Sequence, residues 1–350
     1  MNIYVVNILL TLLWGFMLLL IKPTPNKRKV FVGLTAVQWI LISGLRGMSV
    51  SPDMFSYKLR YNVTTHMSWK QVFRTFYDVY VNEEGKDPGY TLFEKITQVF
   101  VTNFQAYLFI VAVIFFVCLA VWIYRNSRLP CFSYLIFSAF LFRFYAITGT
   151  RQTIATALVV LVGTELIKRR QFWKFLLICA IAFTIHKSSM VFLPFYFISQ
   201  KESTVKYSAA IFGAFPILFV LRNQYIEVLN YISGYDYDAL ESSGAYSFTL
   251  IYMAVCAVSI ILIKFIKANC ENYKMYYNAL FMGSLFLPAV FVNPAIMRVV
   301  QYFTLYIMLM IPEIVCSIEK KYRSTAYAAM TLVLLIASNL FNSSYQFFWQ

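Results

Sequence analysis

The chain has 350 residues, of which 60% are hydrophobic, 19% aromatic and only 13% charged. Too little polar surface remains to cover a globule of this size, so a soluble domain is excluded. A formal charge of +15 would suit nucleic acid, but the Lys and Arg residues are dispersed in short breaks between apolar runs, the positive-inside pattern of a membrane protein.

Apolar runs fall at 3–21, 30–45, 106–124, 131–147, 152–167, 173–185, 188–200, 207–222, 248–266, 276–293, 296–315 and 325–341. They predict an all-α, polytopic helical bundle of about 12 transmembrane or partly re-entrant segments, forming a single integral membrane domain over 1–350. A β-barrel would show short alternating strands instead. Residues 1–21 lack a basic leader and a small-residue cleavage site, and read as the first span. The runs 173–185 and 188–200 are short, and Pro194 interrupts the second, which suggests a broken or re-entrant hairpin. Pro216, Pro288 and Pro312 are expected to kink other spans.

Alternating the spans collects Lys22, Lys27 to Lys29, Arg125, Arg128, Lys168 to Arg170 and Lys174 on one side. Lys201, Lys206, Lys264, Lys267, Lys274, Lys320, Lys321 and Arg323 join them. That side is predicted to be cytoplasmic, with both termini and the segments 46–105 and 223–247 outside. In the first outer segment, Trp69, Val72, Phe73, Phe76 and Tyr80 recur at helical spacing. They predict an amphipathic helix on the outer surface or against the bundle. Asp87-Pro88-Gly89-Tyr90 reads as a turn, followed by a second amphipathic stretch through Leu92, Phe93, Ile96, Val99 and Phe100. The six cysteines lie in spans or at cytoplasmic ends, so neither a disulfide framework nor a metal site is expected. Asp236-Tyr237-Asp238 has the spacing of a metal-binding DxD, but in a Ser/Gly loop on the side without nucleotide sugars; no metal is expected there.

A second group of cations runs against the positive-inside bias. Arg46 ends the second run, Arg143 lies in the outer third of the fourth, and Arg151-Gln152 opens the fifth. His186-Lys187-Ser188 forms the corner of the short hairpin, Arg222 ends the eighth run, and Arg298 lies just inside the eleventh. An Arg within a membrane costs about 2.5–3.5 kcal/mol on insertion scales. One such residue reads equally well as a snorkelling anchor. Several at one level fit a phosphate or diphosphate among the outer headgroups, which guanidinium binds bidentately. Asp53 and Tyr57, four apart, would share one helix face. Asp53 is either a helix cap after Pro52 or a carboxylate serving as general base. His186 is a candidate for proton transfer to or from a hydroxyl. No Gly-rich phosphate loop, hydrolase elbow or HExxH occurs, which disfavours an ATPase or a membrane protease of those types.

Several short motifs then follow in a fixed order. They are Leu45-Arg46-Gly47 with Asp53 and Tyr57, Asp87-Pro88-Gly89-Tyr90, Thr148-Gly149-Thr150-Arg151-Gln152, His186-Lys187-Ser188, Arg298 and the ending Tyr345 to Trp349. Their succession resembles the EpsG family of bacterial exopolysaccharide polymerases, a Wzy-like group; Ser51-Pro52 departs from the Gly-containing approach expected before Asp53. The resemblance implies a metal-independent, cofactor-free polymerase at the outer face of the bacterial cytoplasmic membrane. Its substrate would be an undecaprenyl-diphosphate-linked oligosaccharide, built into exopolysaccharide, capsule or O-antigen-type polymer. Membrane lipid and the flippase and chain-length regulator of the same pathway would be its partners, with no nucleic acid. On that expectation Arg46, Arg151 and Arg298 bind the diphosphate, supported by Tyr57, Arg143, Gln152, Lys187 and Arg222, while Arg151 with His186 or Asp53 carries the chemistry. A flippase for the same lipid, a polysaccharide ligase and a membrane acyltransferase are the rival readings. A flippase would place charges near mid-membrane or on both leaflets.

Overall fold

Asn2 accepts a hydrogen bond from the Tyr4 amide and starts α1 (Ile3–Gly15), which widens into a π-turn over Phe16–Leu20. Thr24 caps α2 (Pro25–Gly44), with Pro25 in the first turn where its missing N–H is not needed. This computed structural model describes residues 2–233, 246–337 and 344–350, so Asp236 and Asp238 lie outside the described residues. Helix accounts for 81% of the described residues. Among the described residues, extended backbone pairs at the isolated bridge between Arg46 and Phe347. The protein is an all-α helical membrane protein.

Ile3–Leu20, Phe104–Asn126 and Thr150–Lys168 are each long and apolar enough to cross a bilayer. Three bent pairs also qualify if each counts as one span: Val205–Val220 with Arg222–Tyr231 at 98°, Tyr246–Ile261 with Ile263–Asn269 at 75°, and Pro294–Thr304 with Ile307–Cys316 at 50°. Among the described residues three to six segments are thus long and apolar enough to cross, which leaves the expected figure of about 12 loose. Many apolar runs are interrupted before they reach span length. The run at 173–185, for instance, becomes a 14-residue helix, about 21 Å of rise against roughly 30 Å of hydrocarbon.

The helices pack into two compact units, Met1–Leu193 with Ala329–Gln350, and Pro194–Ala328. In the first, α1 and α2 are followed by three short helices: α3 (Asp53–His66), α4 (Trp69–Tyr80) and α5 (Pro88–Gln98). Next come α6 (Phe104–Asn126), α7 (Pro130–Ile136), α8 (Thr150–Thr156), α9 (Gly163–Lys168) and α10 (Phe172–Ile185). A π-helical stretch runs on from α7 to Ile147, and another joins α8 to α9. α2 packs along α6, with Trp39 fully buried and stacked on Phe116 at 5.9 Å. The amphipathic helix predicted at 68–80 is α4. Ser68 and Gln71 cap it reciprocally, and its fully buried apolar residue is Val72, while Trp69, Phe73 and Tyr80 stay exposed.

α5 is inside out. Its buried face is Tyr90, Thr91, Glu94 and Thr97, whereas Ile96, Val99 and Phe100 point outward. Such reversed amphipathicity suits a helix that meets lipid on its apolar side and protein on its polar side. α3 and α5 lie on α6 through a cluster of Met54, Tyr57, Tyr61, Tyr90, Phe104 and Tyr107.

The second unit contains α11 (Phe195–Ile198), α12 (Val205–Val220), α13 (Arg222–Ser233), α14 (Tyr246–Ile261) and α15 (Ile263–Asn269). It continues with α16 (Tyr273–Val290), α17 (Met297–Thr304), α18 (Ile307–Cys316) and the start of α19 (Lys320–Ala337). α16 is the hub, packed by α12, α14, α17 and α18. Glu202 ties this unit's loops together: Lys267 reaches it at 2.5 Å, Lys274 at 2.6 Å, and the Tyr273 hydroxyl donates to it. These three donors hold its carboxyl at about 2, well below the usual range. Pro216, Pro288 and Pro312 all sit inside helices. Among the described residues no disulfide is formed.

Candidate functional site

Two left-handed backbone positions set up the first half of the site. Gly149, at φ +62, closes the π-turn Arg143–Ile147 and starts α8, which places Arg151 in the first turn of that helix. Glycine adopts this conformation without the clash a side chain would bring. Asp87, at φ +54, caps the start of α5 ahead of Pro88; Asp tolerates the left-handed region better than most residues. The two starts meet, and the Arg151 guanidinium donates to the Asp87 carboxylate in an ion pair whose side chains are 17% and 5% exposed. The guanidinium also lies over the Tyr57 ring at 5.7 Å.

Arg60, one turn further along α3, braces this pair. It donates to the Asp87 backbone carbonyl at 3.1 Å and to the Thr91 hydroxyl at 2.7 Å, and covers the Tyr90 ring at 4.9 Å. Its Nε lies 3.6 Å from Glu94, whose side chain is fully buried and accepts from the Thr64 hydroxyl at 3.1 Å. Burial raises the Glu94 carboxyl from the ordinary 4.5 to about 7, against the pull of Arg60 and of the Thr64 and Tyr90 hydroxyls. Gly89 lets α5 close onto α10, since a Cβ there would sit 2.9 Å from the Thr184 carbonyl carbon. That contact brings the start of α5 against the last turn of α10, two residues before His186.

Arg46 makes the second half. It follows α2, is 3% exposed, and donates through Nη1 to the Ser43 carbonyl and, at 3.1 Å, to the Ser43 hydroxyl. Its electrostatic neighbours are Tyr345, Tyr4, Tyr90 and Tyr57. Burial lowers its pKa to about 10, which leaves it charged at neutral pH. Tyr57 and Tyr90 also act electrostatically on Arg151, so both arginines feel the same two tyrosines. Each keeps a buried Nε with no hydrogen-bond partner among the described residues, as do the hydroxyls of Ser51, Thr150 and Ser189. Buried donors left open in this way mark a place for an acceptor.

The other predicted residues fall as follows. Gln152 is buried within α8, and Arg143 is exposed, beside the Phe142 ring at 6.0 Å and in the electrostatic range of Tyr4. His186 is buried where α10 ends, in extended backbone, and Lys187 is exposed next to it. Asp53 is exposed in the first turn of α3, where Pro52 takes the cap position, so it shares α3 with Tyr57 but not its burial. Arg222 donates to the Phe219 carbonyl at 3.0 Å at the bend after α12, and Arg298 is exposed in the first turn of α17. Both belong to the second unit. Sequence reading missed Arg60 and Glu94, and took Asp87 only as part of a turn. A signal was available: Glu94 is the lone carboxylate of the amphipathic stretch that follows Asp87-Pro88-Gly89-Tyr90.

The sequence profile of the EpsG family matches residues 29–350. No curated protein and no solved structure matches the chain.

Proposed function

The chain belongs to the EpsG family, and from that premise we propose that it polymerises undecaprenyl-diphosphate-linked oligosaccharide repeat units at the outer face of the bacterial cytoplasmic membrane. The observation carrying this reading is the pair of arginines, Arg46 buried and Arg151 half-buried, that share the electrostatic influence of Tyr57 and Tyr90 and each keep an open Nε donor. A diphosphate supplies the acceptor oxygens that such a set lacks. In the reaction, a hydroxyl of one repeat unit attacks the anomeric carbon of the other. The bond from that carbon to the diphosphate oxygen breaks, and the attacking hydroxyl's proton passes to a base. Arg46 and Arg151 stabilise the charge that builds on the departing diphosphate. His186, buried at the end of α10, or Asp53, exposed at the start of α3, takes the proton. Tyr57 and Gln152 support the anion, Arg143 and Lys187 attract it from the exposed rim, and Arg298 and Arg222 are proposed as further contacts to the substrate. The flippase and chain-length regulator of the same pathway are the proposed protein partners.

The test replaces each arginine by lysine, which keeps the charge but loses the planar fork. Arg151→Lys and Arg46→Lys should each cut polymer formation roughly 100-fold, the scale of losing one preorganised donor. Lipid-linked single repeats should accumulate at the outer leaflet while the protein level holds. Accumulation confined to the cytoplasmic leaflet would instead assign the protein to translocation.

A further inference from the structure

The segment Tyr345–Gln350 lies on the loop that carries Arg46. The Gly47 amide donates to the Gln346 carbonyl at 2.8 Å, and the Phe348 amide donates to the Leu45 carbonyl at 3.0 Å. These two bonds enclose the antiparallel bridge between Arg46 and Phe347. The Ser49 hydroxyl meets the Gln346 side-chain oxygen at 2.5 Å. The Tyr345 hydroxyl donates to the Ile42 carbonyl at 2.7 Å, satisfying one of the acceptors that the end of α2 leaves open. The Tyr345 ring packs edge-on against Tyr4 at 5.7 Å, and Phe347 stacks on Trp349 at 4.5 Å. Gly47 makes this approach possible, because a Cβ there would stand 3.1 Å from the Phe347 oxygen and 3.2 Å from the Gln346 oxygen.

We propose that Tyr345–Gln350 is a strap that positions Arg46 in the anion site, so that the last residues of the sequence act through Arg46 on the diphosphate. The proposal rests on the polymerase reading for its consequence but not for its geometry. Backbone bonds on both sides of Arg46 fix the direction in which its side chain leaves the chain. The guanidinium is thereby sent inward to Ser43 and the tyrosines rather than outward to solvent. Tyr345 is the foremost of the tyrosines that bear on Arg46 electrostatically. An arginine on an unpaired loop would sample many rotamers; one held at its backbone is preorganised for a bound anion. The glycine of Leu45-Arg46-Gly47 and the aromatic ending of the sequence are then two halves of one device.

The experiment has two readouts in the full-length protein in membranes. Arg46→Cys reports geometry: a membrane-impermeant maleimide should label the introduced thiol no more than it labels the parent chain. Removal of residues 345–350, and separately Gly47→Val, should each raise that labelling about tenfold or more as the loop opens. Polymer length reports function: with Arg46 intact, the same two changes should each cut polymer formation on the order of 100-fold, the scale of misplacing a reacting group by about 1 Å. Combining them should add no further loss, because both break the same contact. Gly47→Ala should give a partial loss, and Tyr345→Phe, which removes one hydrogen bond and keeps the ring, a smaller one. An introduced thiol that stays protected after both changes overturns the strap. So does normal polymer with the strap removed when Arg46→Lys abolishes it. Normal polymer in Arg46→Lys would remove Arg46 from the reaction, and labelling would then decide the strap alone.

Discussion

Sixty-four residues separate Asp87 from Arg151, and neither motif taken alone predicts that they pair. Their side chains are largely withdrawn from water, so removing one partner leaves the other as an uncompensated charge. Asp87→Ala should therefore lower stability by about 3–5 kcal/mol, read as a fall in the unfolding midpoint of the protein in detergent. Asp87→Asn keeps an acceptor and suits the left-handed backbone, so it should cost less; equal midpoints for the wild type and both variants would show that the pair contributes nothing. Asp53 and Asp87 make an instructive contrast. The residue expected to act as a carboxylate sits exposed at a helix start, while the one read as a turn residue grips the central arginine. Sequence supplies the residue type, but only the folded chain shows that Asp87 is the carboxylate paired with Arg151.

The helices α3, α4 and α5 were the most legible elements, because periodicity is local. The stripe from Trp69 to Tyr80 was legible as the helix it forms, whereas Asp87-Pro88-Gly89-Tyr90, read as a turn, is the start of α5, with Pro88 in its first turn. What periodicity could not tell was which face of α5 turns inward, since a stripe of Ile96, Val99 and Phe100 fits lipid as well as a core. The polar face turned inward and took Glu94 with it. Burial favours the protonated form of Glu94, and it outweighs the opposing pull of Arg60, Thr64, Tyr90 and Arg151. Its carboxyl titrates near 7 when folded and near 4.5 when not, so the stabilisation is complete below about 4.5 and is lost as pH rises through 7. The protein should be less stable at pH 8 than at pH 6 by roughly 1.3 kcal/mol, one pH unit's worth of proton linkage. Glu94→Gln should flatten that part of the profile; an unchanged slope in thermal unfolding across this range would exclude Glu94 as its source.

For the whole molecule, class was legible and count was not. Apolar composition and charge dispersal required a helical membrane protein, and 81% helix agrees. Hydropathy runs gave about 12 transmembrane or partly re-entrant segments, whereas among the described residues three helices and three pairs bent by 50° to 98° are long and apolar enough to cross. Orientation is still carried by the lysine and arginine pattern. In intact cells, Lys86→Cys, on the exposed turn before α5, should react with an impermeant thiol reagent from outside, and Arg170→Cys, on the turn after α9, should not. The reverse pattern would invert the topology and move the arginine pair to the cytoplasmic face.

Membrane residence, helical class, helix caps and the identity of the cations depend on composition and near neighbours, and the sequence by itself determined them. Tertiary structure alone decided that Arg151 is held by Asp87, that Arg60 braces it, and that Tyr345 reaches Ile42 across 303 residues. Those contacts depend on where the chain returns to itself. No local period or propensity carries that information, because closing so long a loop is settled by the packing of every helix between its ends.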